Sequence, residues 1–191
     1  MLDVKSVLFV GVGGQGTILA SKILTIGLIE NGYDVKMSEV HGMSQRGGSV
    51  STQVRFGSKV YSPIIGEGAA DILVSFEEME AARYAKFLKK EGKMVVNTSR
   101  IPSMPILSGA CQYPEGIMDA LKKQVPVMAL DATQIASDLG NPKSANVVLL
   151  GALIQAMDLH DIDWKAIIAK TVKKNFVDIN IQAFEAGMAA I

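Results

Sequence analysis

The sequence is poor in the residues that build several common kinds of site. It contains one cysteine, Cys111, and two histidines, His41 and His160, which lie far apart in the sequence. A single cysteine excludes an internal disulfide framework and a self-contained iron–sulfur cluster with four cysteine ligands. Two distant histidines without a ligand-like spacing argue against a structural zinc site. We therefore expect no metal site built from this chain alone.

The chain also has no excess of charge of either sign. It has 19 Lys and Arg against 19 Asp and Glu, and no long block of like charge. A balanced surface provides no broad attraction to nucleic acid or to an anionic membrane. We therefore expect neither as a partner.

Long apolar runs are missing as well. The longest candidate, residues 17–29, is interrupted by Ser21, Lys22 and Gly27, and a bilayer span needs roughly 18 apolar residues. The apolar run near the N-terminus is short and leads directly into a glycine cluster, which is typical of a first strand rather than a signal peptide. We therefore expect a cytoplasmic protein.

What the sequence does have is enough apolar residues for one globular core. At 191 residues and 49% hydrophobic content, it fits a single domain over residues 1–191. We divide that domain into an α/β core at residues 1–143 and C-terminal helices at residues 144–191.

The chain is organised around residues 6–29. An apolar run at residues 7–10 is followed by Gly11, Gly13, Gly14 and Gly16, and then by an apolar helical stretch. This order predicts a strand, a tight turn and a helix, with the spacing of a G-x-G-x-x-G motif. The exposed amides of such a helix N-terminus attract anions. The alternative is that the glycines only let the helix pack closely on the sheet.

A second glycine-bearing loop, HGMSQRGG, occupies residues 41–48 between two predicted strands at 33–40 and 49–56. The second of these strands alternates apolar and polar residues, which indicates one exposed face. We predict a hairpin turn at residues 57–59 that leads into a strand at 60–61. Antiparallel pairing should therefore interrupt the parallel sheet here.

The remaining pattern alternates strands and helices. Strands are predicted at 71–76, 93–97 and 127–130, and helices at 77–90, 115–123, 132–139, 145–158 and 164–174, followed by a last amphipathic stretch. Asp131, Ser144 and Asp161 are the expected helix caps. The fold class is α/β: a mixed, mostly parallel, Rossmann-like sheet with an antiparallel hairpin insertion and a helical C-terminal third.

Ligands of open α/β sheets bind beyond the carboxyl ends of the strands. The turn at 11–16, the loop at 41–48 and residues 97–100 all follow strands, so we expect them to converge on one rim.

Arg46 offers a planar guanidinium suited to binding carboxylate or phosphate, and His41 could carry a proton. The loop could equally be a polar turn that caps its own backbone. Asn97 and Asn146 more plausibly brace the structure than react. The candidate ligand-binding residues are Gly11, Gly13, Gly14, Gln15, Gly16, His41, Ser44, Gln45, Arg46, Gly47, Gly48 and Asn97.

Two other interpretations remain open at this point. Glu39, near the end of the second predicted strand, lies where an acidic residue would meet the ribose of NAD(P) or FAD, although the hairpin after it breaks the usual architecture. The chain could also be a scaffold without a ligand. It shows no G-x-S-x-G, H-E-x-x-H or P-loop motif, which suggests that it holds something without reacting alone.

Several motifs together resemble one known family. GVGGQG after an N-terminal strand, SEVHGMSQRGGSVSTQVRFG, VYSPIIGEGAADILVSFEEMEAARY, KMVVNT, SANVVLLGALI and NIQAFEAG are similar to the gamma component of 2-oxoacid:ferredoxin oxidoreductases. The resemblance covers nearly the whole chain. The forms HGMSQRGGSV and FEEMEAAR are most similar to the indolepyruvate oxidoreductase beta-subunit branch.

This resemblance implies an accessory subunit of a larger enzyme. In that family a 2-oxoacid is decarboxylated on thiamine diphosphate with Mg, coenzyme A takes the acyl group, and iron–sulfur clusters pass electrons to ferredoxin. The chain would bind none of these tightly, because the thiamine- and cluster-bearing parts belong to partner subunits. It could form a homo-oligomer when isolated. The family positions carried over are the glycines and Gln15 of the turn, Arg46, Gly47, Gly48, Asn97 and Asn146.

Overall fold

The computed structural model describes residues 3–41 and 47–191, and within them one six-stranded sheet. The strands lie in the order β2-β3-β1-β4-β5-β6. Five of them run in the same direction, and β3 is antiparallel to both of its neighbours. The predicted mixed, mostly parallel sheet is therefore confirmed. The strands are β1 (Lys5–Val12), β2 (Asp34–His41), β3 (Ser49–Gly57), β4 (Ala70–Ser75), β5 (Leu88–Asn97) and β6 (Val127–Leu130).

The reversed strand β3 lies between β1 and β2. It pairs with β1 from Lys5↔Phe56 to Val12↔Ser49, and with β2 from Asp34↔Gly57 to His41↔Val50. The predicted antiparallel interruption is thus present. The predicted hairpin from β3 into residues 60–61 is wrong, because β1 and β2 already occupy both edges of β3. The amide of Val60 instead donates to the Asp34 carboxylate at 2.8 Å.

Helices cover both faces of the sheet. They are α1 (Thr17–Glu30), α2 (Glu78–Tyr84), α3 (Met104–Leu107), α4 (Ile117–Lys122), α5 (Ala132–Asp138), α6 (Ala145–Met157), α7 (Trp164–Thr171) and α8 (Val177–Ala189). Consecutive β1 residues face opposite cores: Val7 and Phe9 join the core of α1, α6 and α8, and Leu8 and Val10 join the core of α2 and α4. The continuous apolar run of β1 reflects burial on both faces. No helix in the described ranges has the length and apolar character to cross a bilayer.

The predicted helix over residues 77–90 is too long. It ends at Tyr84 and a short 3₁₀ turn follows. Strand β5 then begins at Leu88, where its pairing with β4 contains a register shift. Lys89, which lies within the predicted helical range, donates to Asp71 at 2.7 Å. Its charge therefore forms an ion pair with the beginning of β4.

Two of the three predicted helix caps are also wrong. Asp131 accepts from the Gln134 amide at 2.8 Å as expected. The cap of α7 is Asp163, not Asp161, since its carboxylate accepts from the Ala166 amide at 3.1 Å. The Ser144 hydroxyl donates backwards to the Asn141 carbonyl at 2.7 Å and makes no cap bond for α6.

Helices α6 and α8 cross at two glycines. A Cβ added at Gly151 would overlap the Phe184 carbonyl, and one added at Gly187 would overlap the Val148 carbonyl. The two backbones therefore lie in direct contact, which only glycine permits at this crossing. This contact fixes α8 against the helix that adjoins the glycine turn.

Replacing Gly187 with Ala should force the two helices apart. We expect the free energy of unfolding to fall by about 3 kcal/mol, the upper part of the range for overpacked cores, measured by urea denaturation. Gly66→Ala is the matched control, because a Cβ there meets nothing within 4 Å and its backbone is not left-handed. Equal stability of the two variants would contradict the close crossing.

Candidate functional site at the strand ends

The two glycine segments lie side by side and share backbone hydrogen bonds. The Gly13 amide donates to the Gly48 carbonyl at 2.8 Å, and the Gly47 amide donates to the Gly13 carbonyl at 3.3 Å. The pairing follows from the topology, because β3 begins beside the end of β1, where Ser49 pairs with Val12. The predicted convergence of these loops is confirmed at their described ends. Ser44, Gln45 and Arg46 lie outside the described residues.

The first glycine turn is built from left-handed residues. Gly14 has a φ of 105° and Gly16 a φ of 81°, so L side chains would be strained at both positions. Gly16 is also the N-cap of α1, and it has no side chain with which to cap that helix end. The amides that begin α1 therefore retain the positive end of the helix dipole.

Gly11 differs from the other glycines of this segment: it lies inside β1, and a Cβ there would meet Gln15 and Phe76 at 2.9 Å. It serves close packing.

Two side-chain amides fasten this turn to the neighbouring strands. Gln15 accepts from the Val12 amide at 2.7 Å and donates to the Phe76 carbonyl at 2.7 Å. Asn97 donates to the same carbonyl at 3.1 Å and accepts from the Ala132 amide at 3.0 Å. Thus one carbonyl at the end of β4 links the turn after β1 to the end of β5. The expected bracing role of Asn97 is supported by these contacts.

Cavities lie on both sides of the first glycine turn. One, of about 370 Å³, is bounded by the turn, the start of α1, His41 at the end of β2, and the beginning of β3. The other, of about 480 Å³, lies between the turn, Phe76, Asn97 and Ser99. Gly14 and Gly16 line both cavities. The turn therefore separates the two cavities, and its backbone is accessible from both of them.

A set of buried acids behind the rim escaped sequence analysis. The Glu77 side chain is fully buried, and its carboxylate accepts from the Glu80 amide at 3.0 Å, the Ile101 amide at 3.1 Å and the Tyr113 hydroxyl at 2.5 Å. Burial, and then the hydrogen bond to Glu77, raise the pKa of the Tyr113 phenol above its ordinary value. Both effects favour the neutral, donating phenol. Glu77 thereby connects α2 with the loop after β5.

The two other acids connect further segments. Glu80 accepts from the Ser49 hydroxyl, at the start of β3, and from Arg83 at 3.0 Å. Glu78 binds Arg100 through two bonds, at 2.6 and 3.3 Å, and this pairing raises the pKa of the guanidinium. The sequence alone places these acids in the first turn of the predicted helix over residues 77–90, where acidic side chains complement the helix dipole. Their position directly after a strand that points at the rim was the signal that could have revealed them.

The geometry does not favour the dinucleotide interpretation. In a dinucleotide-binding sheet, the strand with the acidic residue lies directly beside the first strand. Here β3 intervenes, so Glu39 is about 5 Å further from the glycine turn, the spacing of one strand. Within residues 3–41 and 47–191, no group of three or more His, Cys, Asp or Glu could hold a metal ion.

The fold and the rim together define a Rossmann-like domain with two joined glycine segments at its strand ends. A family model described as pyruvate ferredoxin/flavodoxin oxidoreductase matches residues 6–190. The chain belongs to this family.

Similar proteins are subunits of such enzymes. The chain is 41% identical to the indolepyruvate oxidoreductase subunit IorB of Thermococcus kodakarensis and 39% identical to that of Pyrococcus horikoshii, in each case covering 97% of this chain and 95% of the relative. It is 28% identical to the pyruvate synthase subunit PorC of Methanosarcina barkeri, covering 80% of this chain and 77% of the relative. None of these relatives is named as an NAD(P)- or FAD-binding enzyme.

A solved structure supports the fold. The crystal structure of the pyruvate oxidoreductase subunit PORC from Thermotoga maritima has a TM-score of 0.74 and 20% identity, covering 97% of this chain and 96% of that one. This likeness supports the fold, while the family model and the relatives of about 40% identity confirm the resemblance to this superfamily.

Removing the Tyr113 hydroxyl should weaken the buried acid network. Tyr113→Phe takes one donor from Glu77 and leaves the Met79 amide, which donates to that hydroxyl at 3.0 Å, without its acceptor. We expect a loss of about 1–2 kcal/mol in unfolding free energy at pH 7.5. Tyr61→Phe is the control, because Tyr61 is 89% exposed.

The same variant should change the alkaline behaviour. A raised phenol pKa in the folded state stabilises the protein below the unfolded pKa of about 10, and that stabilisation is lost as pH rises further. Wild type should therefore lose more stability than Tyr113→Phe between pH 9 and 11, measured by urea denaturation. Identical pH profiles for the two proteins would contradict a raised pKa of the Tyr113 phenol in the folded state.

Proposed function

We propose that this chain is the accessory subunit of a thiamine-diphosphate-dependent 2-oxoacid:ferredoxin oxidoreductase that acts on indolepyruvate and related arylpyruvates. The observation that carries this proposal is the near full-length identity of about 40% to two indolepyruvate oxidoreductase subunits, against 28% to a pyruvate synthase subunit. The proposed reaction converts the 2-oxoacid, coenzyme A and oxidised ferredoxin to acyl-CoA, carbon dioxide and reduced ferredoxin.

In this proposal the redox chemistry takes place on partner subunits. One cysteine supplies at most one of the four ligands that an iron–sulfur cluster usually takes. The clusters are therefore assigned to the partners, through which electrons pass to ferredoxin, and the resemblance to the family assigns thiamine diphosphate and Mg to the partners as well. The complex is expected in the cytoplasm, and the isolated chain is expected to form a homo-oligomer when the partner is absent.

The rim is the part of the chain that we assign to the partner. Its described members are the glycine turn, His41, Gly47 and Gly48, and the side-chain amides of Gln15 and Asn97 hold it in shape. Two features of the rim support its contact with the surface of another subunit. Gly14 is exposed, with its backbone open to both cavities, and the neighbouring Ile18 on α1 is an apolar side chain that is 51% exposed. A rigid edge with open backbone and an exposed apolar side chain suits docking.

Reconstitution tests the proposed activity. The chain is co-expressed with a thiamine-binding partner subunit, and the purified complex is assayed for coenzyme A-dependent ferredoxin reduction. We expect indolepyruvate and phenylpyruvate to give kcat/KM values at least tenfold above those of pyruvate and 2-oxoglutarate, a ratio that corresponds to about 1.4 kcal/mol. A complex that prefers pyruvate would overturn the substrate assignment, and failure of the chains to co-purify would overturn the subunit assignment.

A charge placed on the rim tests the docking surface. Ile18→Asp should leave the isolated chain folded, because the side chain is half exposed, but should weaken co-purification with the partner by at least tenfold. Ile64→Asp is the matched control: Ile64 is 59% exposed and lies in the connection between β3 and β4, at the other end of the sheet. Circular dichroism checks folding and pull-down titration measures affinity. Equal weakening by both variants would argue against the rim as the interface.

A further inference from the structure

An exposed arm connects β5 to α4. We define it as residues 102–112, which include the short helix α3, and none of these residues is buried. The side chains of Met104 and Leu107 are 75% and 67% exposed. They are three residues apart in one helical turn, so they are neighbours on its surface. Large apolar side chains that lie together in water mark contact surfaces.

The two ends of the arm are held together at its base. Oε1 of Glu77 accepts from the Ile101 amide at 3.1 Å, and the same oxygen accepts from the Tyr113 hydroxyl at 2.5 Å. Arg100, directly before this segment, contacts Glu115 at 3.4 Å and lies 5.1 Å from the centre of the Tyr113 ring. A surface loop of this length with its ends joined is an Ω-loop, a class of loop that is frequently functional.

The arm is shaped by its own backbone. The Leu107 amide donates to the Ser103 carbonyl at 2.9 Å. The Ala110 amide donates to the Pro105 carbonyl, also at 2.9 Å. The arm therefore has a defined shape while its side chains lie in water, and little ordering remains to be done on binding.

The arm and its flanks carry no charge. No Asp, Glu, Lys, Arg or His occurs in residues 101–114, although 20% of the whole chain is charged. The other uncharged stretches of at least this length, residues 6–21 and 144–157, lie mainly in the buried parts of β1, α1 and α6. An exposed surface without charged residues, rich in apolar side chains, has the composition of an interface core.

The arm continues the rim. It follows β5, so it leaves the sheet at the same edge as the glycine turn after β1. Ile101 and Ser103, at the base of the arm, bound a cavity of about 260 Å³ together with Val12 and Gly47. A protein seated on the glycine segments would therefore meet the arm beside them.

We infer that the arm inserts Met104 and Leu107 into an uncharged, apolar cleft of the partner subunit. This inference rests on the proposed function, which assigns the adjoining rim to that subunit. The continuity of the arm with the rim favours the partner over a second copy of this chain. A charged cleft is excluded as the complement, because residues 101–114 offer no opposite charge and burying an unpaired charge is unfavourable.

A double variant of the arm tests the inference in the assembled enzyme. Met104→Ser with Leu107→Ser should weaken pull-down of the partner about tenfold, because a few apolar anchors dominate the affinity of most interfaces. The matched control is Ile29→Ser with Ile64→Ser: these side chains are 54% and 59% exposed and lie at the other end of the sheet. Circular dichroism checks that both variants fold.

The outcomes separate this inference from the proposed function. A wild-type chain that does not bind the partner would overturn the proposed function, and this inference with it. Wild-type affinity in the arm variant, or equal weakening by the control, would overturn the inference alone. So would an arm variant that loses only the self-association of the isolated chain, measured by sedimentation, because the arm would then contact a second copy.

Cys111 provides a second readout that needs no substitution. It is the only cysteine of the chain, it is exposed, and its amide donates to the Pro105 carbonyl at 3.4 Å, beside α3. Its alkylation by N-ethylmaleimide is followed by the mass of this chain, alone and in the complex. We expect the rate to fall about fivefold on assembly, because thiol reactivity depends on access. An unchanged rate would contradict burial of the arm by the partner.

Discussion

The site depends on a backbone constraint: the insertion of an antiparallel strand between β1 and β2. Because β3 pairs with both neighbours along eight residue pairs each, Gly47 and Gly48 directly before it must lie beside the turn after β1. The reciprocal bonds of Gly13 with Gly47 and Gly48 then join the two segments. Without that strand, the sheet would present the single glycine turn of a dinucleotide-binding domain. With it, the same edge carries two joined glycine segments and a displaced Glu39.

Polar side chains convert this edge into a rigid surface. The Phe76 carbonyl receives donors from both Gln15 and Asn97, so the ends of β1, β4 and β5 are fixed relative to one another. Behind them, Glu77 and Glu80 reach the loop after β5 and the start of β3. The carboxylates of these acids are buried and accept hydrogen bonds, so replacing either acid would lower the free energy of unfolding. A pre-organised edge of this kind suits a subunit that completes another protein's site, since little ordering remains to be done on binding.

The sequence predicted the parts of this arrangement that follow from local rules. The apolar run before Gly11 indicated a strand, and strands of one direction place their following loops at one edge. It could not reveal which strand pairs with which, because residues 57–61 resemble a hairpin locally and only the occupied edges of β3 exclude it. The helix over residues 77–90 failed for a related reason: Lys89 satisfies the pattern of a helix end, but its partner Asp71 is distant in sequence. Burial of Glu77 and Glu80 likewise depends on donors from other segments, such as Tyr113 and Ser49.

The joined glycine segments are proposed as the surface that meets a partner subunit, and hydrogen–deuterium exchange of the isolated chain and of the assembled complex tests this proposal. We expect the amides of residues 13–18 and 47–49 to become protected on assembly, while those of residues 58–68, at the opposite end of the sheet, exchange unchanged. Protection of residues 58–68 with unaltered exchange at the glycine segments would contradict it.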